Sequence, residues 1–186
     1  MKKILVVSLM AASLNVAHAA SSDYSGLYVG ADYVQSDMLD ILAVTSLLGP
    51  QTSNTESTGY SVQVGYTSRL TENLYLNSEF SYADLGSAKV SGQGLLGPYT
   101  GEVSATSYGV NLMPKYHFGG FYVGVIGGLN NLSADVAISS TKSSVDEWKL
   151  LTGAEIGYSF QQVGINLGYK SIDDISAVYL GMDYTF

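Results

Sequence analysis

Apolar and polar residues alternate one by one along most of the chain after Tyr24. Successive side chains of a strand point to opposite faces, so this period of two marks strands whose faces differ in chemistry. Eight such segments can be drawn. Leu27–Gln35 sets Leu27, Val29, Ala31 and Tyr33 against Tyr28, Gly30 and Asp32, and Gly59–Thr67 sets Tyr60, Val62, Val64 and Tyr66 against Ser61, Gln63 and Gly65. Leu74–Ala83 opposes Leu74, Leu76, Phe80 and Tyr82 to Tyr75, Asn77, Glu79 and Ser81. Val103–Tyr116, Phe121–Leu129, Trp148–Tyr158, Val163–Lys170 and Val178–Phe186 repeat the pattern. Pro114 offers no N–H to a ladder, so the fourth strand is expected to end or bulge there.

The connections alternate in length. Arg69–Asn73, His117–Gly120 and Phe160–Gln162 are tight, whereas Ser36–Thr58, Asp84–Glu102 and Asn130–Glu147 are long, and Ser171–Ala177 lies between. Short turns on one side and long loops on the other are the asymmetry of a transmembrane barrel, with both chain ends on the short side.

Alternation alone leaves two orientations open, since a soluble barrel reverses the same faces. Composition separates them. Charged residues make up only 13% of the chain, while Gly counts 21 and Tyr 15. A water-facing exterior normally carries far more Lys and Glu. Beyond the N-terminus no apolar run reaches the length of a transmembrane helix, and a closed barrel is the other way to pair every backbone group in hydrocarbon. The reading is an all-β, eight-stranded antiparallel up-and-down transmembrane β-barrel, its apolar face toward outer-membrane lipid.

The N-terminus fits that destination. Lys2 and Lys3 precede an apolar run from Ile4 to Val16, followed by Ala17-His18-Ala19. This order reads as a secretory signal peptide over residues 1–19, leaving 20–186 as a single outer-membrane barrel domain. A retained anchor would need a longer apolar stretch than Ser21, Ser22 and Asp23 permit. The chain has no Cys, which excludes disulfides and thiol chemistry. Its formal net charge of −8, more negative still once Lys2 and Lys3 are removed, argues against nucleic acid as a partner.

An eight-stranded barrel encloses only enough room for side chains. The polar face, rich in Gly, Ser and Asn, would fill it as a plug. Asp32, Glu79, Glu155 and Asp183 are expected to meet Lys115, Lys149 and Lys170 in an interior network, because buried charges need partners. The network is first a structural device; an ion or proton path is the alternative. Tyr33, Tyr60, Tyr66, Tyr82, Trp148, Tyr158, Tyr169, Tyr184 and Phe186 stand at segment ends, where amphipathic rings form interfacial girdles.

Gly26-Leu27-Tyr28-Val29-Gly30-Ala31, Phe121-Tyr122-Val123-Gly124-Val125 and Gly153-Ala154-Glu155-Ile156-Gly157-Tyr158, in this order and spacing, resemble the small outer-membrane barrels related to the OmpA transmembrane domain, OmpX and the opacity proteins. The resemblance spans essentially the whole mature chain and implies a place in the bacterial outer membrane. It also implies that the terminus, with Leu180, Met182, Tyr184 and Phe186 alternating, is a signal read by the barrel-assembly machinery; the same pattern also suits a plain lipid-facing girdle strand.

Some barrels of this size act on lipid through Ser, His and an acid. Here only His117 remains after signal removal, at a tight turn on the periplasmic side, so no enzyme, metal site or cofactor is expected. One motif is unabsorbed by the barrel. Leu47-Leu48-Gly49-Pro50-Gln51-Thr52 nearly recurs as Leu95-Leu96-Gly97-Pro98-Tyr99-Thr100 in the next long connection. The Leu pairs either pack on each other and the rim or form an apolar surface for a host or other surface ligand. Asp37, Asp40, Asp173 and Asp174 make that side acidic, and a loop-bound divalent cation is a further, unspecific reading. The expected role is therefore structural or surface-interacting, adhesion-like, and carried by extracellular loops. The alternatives are a narrow channel or carrier for small apolar compounds and, last, a lipid-modifying enzyme. A barrel of this kind should be heat-modifiable: detergent-purified protein should change its electrophoretic mobility on boiling, and an unshifted, soluble protein would contradict the barrel.

Overall fold

The computed structural model describes residues 24–37, 51–54, 56–94, 97–138, 141–173 and 175–186. The expected signal peptide, residues 1–19, lies outside them, as do Leu47, Leu48, Leu95 and Leu96. The described residues form nine strands: β1 (Gly26–Asp37), β2 (Gln51–Asn54), β3 (Glu56–Arg69), β4 (Leu74–Gly94), β5 (Gly97–Phe118), β6 (Phe121–Ile138), β7 (Thr141–Phe160), β8 (Val163–Ile172) and β9 (Ile175–Thr185). All neighbours are antiparallel, β4 pairs with β5, and β1 pairs with β9, so the sheet closes on itself. β2 and β3 both lie along β4 and together make one stave, which gives an eight-stranded up-and-down barrel.

Lipid-facing and lumen-facing residues separate as the alternation requires. Tyr33, Tyr60, Tyr82, Tyr108 and Trp148 are exposed at the outer end. Register sets Tyr33 opposite Tyr60 and Tyr82 opposite Tyr108, and the Tyr108 and Trp148 rings meet edge to face at 6.1 Å. At the other end Phe118 opposes Phe121, which meets Tyr158 at 4.7 Å. Between these girdles the outward positions are mainly Val, Leu, Ile, Phe and Met, such as Val110, Val125, Ile156, Leu167 and Met182.

The three tight links hold: residues 70–73, 119–120 and 161–162 are all that separates their strands. The long ones differ from expectation. Asp84–Glu102 and Asn130–Glu147 are not loops but the upper halves of hairpins, with only residues 95–96 and 139–140 between the paired strands. The lipid-facing apolar residues do stop near Asp84 and Asn130, yet backbone pairing needs no lipid and continues into water. Ser171–Ala177 likewise shortens to a link after Asp173, with Ile172 opposite Ile175.

Pro114 neither ends nor bulges its strand. It sits opposite Leu76, and Leu112↔Gly127 and Lys115↔Gly124 keep one register on the β6 side, where the ladder merely skips Met113 and Pro114. The bulge lies elsewhere, between Asp84 and Gly86 of β4. Gly86 has φ 87°, its N–H donates to Asp84 Oδ1 at 2.9 Å, and a Cβ there would collide with the Thr58 carbonyl oxygen. Leu85 keeps the lumen-side parity of Ala83, and the bulge shifts the residues after it by one so that Ala88 is buried as well.

Leu167, in the middle of β8, points out and is 48% exposed. Leu167→Arg should cost roughly 2–4 kcal/mol of folding free energy in bilayers, as expected for Arg near the midplane. Urea titration in lipid vesicles measures it, and an unchanged midpoint would contradict this facing.

Candidate functional sites in the lumen and at the outer rim

The lumen is filled in layers. At the periplasmic end His117 stacks on Tyr24 at 4.4 Å and meets the Tyr75 and Tyr122 rings at 4.9 and 5.1 Å. His117 is the penultimate residue of β5, and its ring is buried inside the barrel rather than presented at the turn. Interior tyrosines find room because glycine lies directly across the ladder: Tyr122 opposes Gly157 and Tyr179 opposes Gly168, and a Cβ at either glycine would strike the ring.

Above this lies the charged layer. Lys115 Nζ is 2.8 Å from Glu155 Oε1, both side chains being almost wholly buried. The Tyr179 hydroxyl donates to Glu155 Oε2 at 2.8 Å, and Lys170 Nζ sits 4.6 Å from the centre of the Tyr179 ring. Lys170 in turn lies 3.6 Å from Asp32 Oδ2. Asp32 also accepts from the Ser61 hydroxyl and, at 3.1 Å, from Gln63 Nε2. Glu79 meets no ammonium among the described residues; it accepts from the Tyr28 hydroxyl at 2.6 Å and from Asn111 Nδ2 at 3.0 Å. Asp183 borders a cavity of about 30 Å³ at the periplasmic end together with Lys115 and His117. A second cavity of the same size adjoins Asp32, Glu79 and Lys170. Each has room for a water or two.

Of the interior network expected from sequence, Asp32, Glu79, Lys115, Glu155, Lys170 and Asp183 thus share the lumen. Lys149 does not join them. It has lumen-side parity on β7 but stands above Leu151, where it pairs with Glu147 at 2.8 Å and Asp173 at 2.9 Å in contact with water. An exposed arrangement of this kind adds little stability.

What sequence reasoning missed is the roof. Val34, Leu85, Ala105, Leu132, Ile172 and Ile175 are buried inside the outer end of the barrel, over the charged layer. The signal was present in the lumen-side parity of Val34, Leu151 and Ile172, apolar where the lower lumen is polar. Ser36 ties the roof together, its hydroxyl donating to the Leu85 carbonyl at 2.6 Å.

The terminal residues Leu180, Met182 and Phe186 are exposed on the lipid side, and the Tyr184 hydroxyl donates to Gln162 Oε1 at 3.0 Å. Their strand, β9, closes the barrel on β1, and Phe186 N–H donates to the Leu27 carbonyl at 2.8 Å. At the outer rim the near-repeat acquires a structural meaning. Gln51 and Tyr99 both face Gly92, and Thr52 and Thr100 both face Ser91, so the described parts of the two copies occupy the same register on either side of β4.

Removing one partner of the Lys115–Glu155 pair strands a charge in the lumen. Glu155→Gln should destabilise the barrel by about 3–5 kcal/mol, and replacing both residues by Met should recover much of the loss. Unfolding in detergent or lipid compares them; equal stability of all forms would mean that the pair carries none of the lumen's packing.

Comparison with known proteins agrees with this architecture. Among solved structures, Ail, the attachment invasion locus protein of Yersinia pestis in complex with the heparin analogue sucrose octasulfate, matches with a TM-score of 0.54 at 15% identity, over 88% of this chain and 100% of Ail. Neisserial surface protein A gives 0.49 at 15% identity over 91% and 100%, and the N-terminal β-barrel domain of Pseudomonas aeruginosa OprF gives 0.49 at 16% over 87% and 99%. At 15% identity the Ail match speaks for the fold alone. No curated protein matches the sequence. A family model described as outer membrane protein beta-barrel domain matches residues 4–186, and the chain belongs to that family of bacterial outer-membrane barrels.

Proposed function

We propose that this barrel is a membrane-anchored scaffold whose outer hairpins make contact with a surface, in an adhesion-like role. The observation that carries the reading is unequal strand height. β8, β9 and β1 have 10, 11 and 12 residues, close to the ~9–11 that cross a bilayer. β4, β5, β6 and β7 have 21, 22, 18 and 20. At ~3.3 Å per residue, about seven to eleven surplus residues lengthen these strands by roughly 23–36 Å and carry a paired wall past the outer girdle on one side of the barrel. A structural anchor alone has no use for such a wall.

Passage of solutes is the weaker reading. Among the described residues the lumen is filled by packed layers under an apolar roof, which disfavours a hydrated ion path, and two water-sized cavities there do not suit a carrier of larger apolar molecules. No reaction is assigned either: His117, the one histidine among the described residues, is packed among aromatic rings at the far end from the wall. The wall also differs in charge from what a polysulfated ligand would need. Among wall residues whose side chains are described, the acids Glu102, Asp135, Asp146 and Glu147 outnumber Lys89 and Lys149, which disfavours a ligand like the one held by Ail. A neutral or basic surface suits it better. Assembly through the C-terminal strand belongs to the same proposal, since β9 is one of the two strands whose pairing closes the ladder.

Excising Lys89–Glu102 and joining Ala88 to Val103 through an Asn–Gly turn keeps the roof and removes the tallest hairpin. The variant should remain a heat-modifiable outer-membrane barrel, while attachment of the bacteria to matrix-coated surfaces should fall to the level of a strain lacking the protein. Neither form should conduct in planar bilayers. Undiminished attachment by the variant would remove the contact role from the wall.

A further inference from the structure

β1 enters the ladder at Gly26, which pairs with Thr67, so Tyr24 lies outside the sheet. Gly26 has φ 150°, a conformation that L side chains rarely adopt, and a Cβ there would stand 2.7 Å from the Phe186 carbonyl oxygen. Two residues before it, Tyr24 stacks on His117 at 4.4 Å and meets the Tyr75 ring edge-on at 5.8 Å. Its hydroxyl donates to the Gly119 carbonyl at 3.3 Å. Gly119 belongs to the β5–β6 turn, three staves from β1 one way round the barrel and four the other. Tyr24 therefore reaches across the periplasmic mouth, from the wall that carries β1 to the opposite one.

The same ring borders the periplasmic cavity of about 30 Å³, together with Lys115, His117, Tyr122 and Asp183. Two polar atoms of this lining, His117 Nδ1 and the Tyr122 hydroxyl oxygen, are buried and have no hydrogen-bond partner among the described residues. Buried polar groups are paired, and a chamber with room for a water or two offers both atoms that partner. The Lys115–Glu155 pair adjoins the chamber through Lys115, and bulk water would weaken the pair by screening it. Val34, Leu85 and Ile172 cover the charged layer at the outer end. A cover at the periplasmic end completes its enclosure.

We propose that Tyr24 is a hinged lid, which turns at Gly26, closes the periplasmic mouth by stacking on His117, and seals a chamber of ordered water beside the Lys115–Glu155 pair. Ring contacts and one hydrogen bond hold Tyr24, with no rung of the ladder, so the lid opens while the barrel stays folded. Stacking carries the closure: the bond to Gly119 is long and exposed to competing water, whereas the ring contacts remove apolar surface from it. Opening makes the foot of the lumen a vestibule for periplasmic water, not a channel, because the roof stays shut. The device lies at the far end from the wall and does not rest on the surface-contact role.

The test reads the accessibility of His117 in the full barrel in lipid nanodiscs. Diethyl pyrocarbonate acylates an accessible imidazole, and mass spectrometry of the peptide carrying His117 gives the rate, with the heat-modifiable band reporting the fold of every variant. Wild type should react slowly, yet faster than its barrel unfolds. Tyr24→Ala should react about tenfold faster, the effect of losing aromatic contacts of this kind, and Tyr24→Phe should match wild type. Gly26→Ala, which adds a Cβ where the turn has no room for one, should resemble Tyr24→Ala; if it does not fold, the two Tyr24 variants decide. Equal rates in wild type and Tyr24→Ala, fast or slow, would overturn the lid. Tyr24→Phe reacting as fast as Tyr24→Ala would overturn closure by stacking, and a folded Gly26→Ala as slow as wild type would overturn the hinge. Wild type reacting only as fast as it unfolds would show a fixed plug in place of a lid.

Discussion

A peptide group in hydrocarbon must find its hydrogen bond within the protein, and for strands that demand is met only by a closed ladder. The pairing of β1 with β9, the first strand with the last, closes this one. Closure with few staves fixes a narrow lumen, and a narrow lumen dictates what can point inward. Tyrosine enters where glycine stands across the ladder, and lysine where a carboxylate waits, as Lys115 with Glu155. Even Pro114 is tolerated at little cost, since its neighbours Leu112 and Lys115 hold the register it cannot support.

The same constraint explains where freedom begins. Beyond the outer girdle, water can satisfy any backbone group, so staves there need not share a height. β4 through β7 continue while the described parts of β8, β9 and β1 stop, and above Leu151 β7 pairs only with β6 among the described residues. At this level the lumen also changes character. Below it, charges are linked from Lys115 through Glu155, Tyr179 and Lys170 to Asp32; above them, Val34, Leu85 and Ile172 form an apolar roof. The roof keeps bulk water from the ion pairs, strengthening them electrostatically, and anchors the base of the protruding wall.

Period-two alternation, scarce charge and the spacing of turns were enough to give strand positions, facing and the closed barrel, because each follows from local chemistry repeated along the chain. Leu167 outward and Asp32 inward are both direct consequences of parity. Six of the seven charged residues assigned to the lumen from sequence lie there for the same reason. Lys149 shares their parity and still stands outside, since parity gives the face of a residue and not its height.

Height was decided by the tertiary structure. Whether Asp84–Glu102 is a loop or a hairpin depends on pairing between strands, which hydropathy does not report once lipid is left behind. The bulge at Leu85, the apolar roof and the point where β7 and β8 part are likewise set by which strands pair, and how far. The sequence determined a membrane barrel and the two faces of its strands, because water, lipid and a narrow lumen each select side chains locally; which charges meet, and how far each strand stays paired, only the closed and staggered sheet could decide.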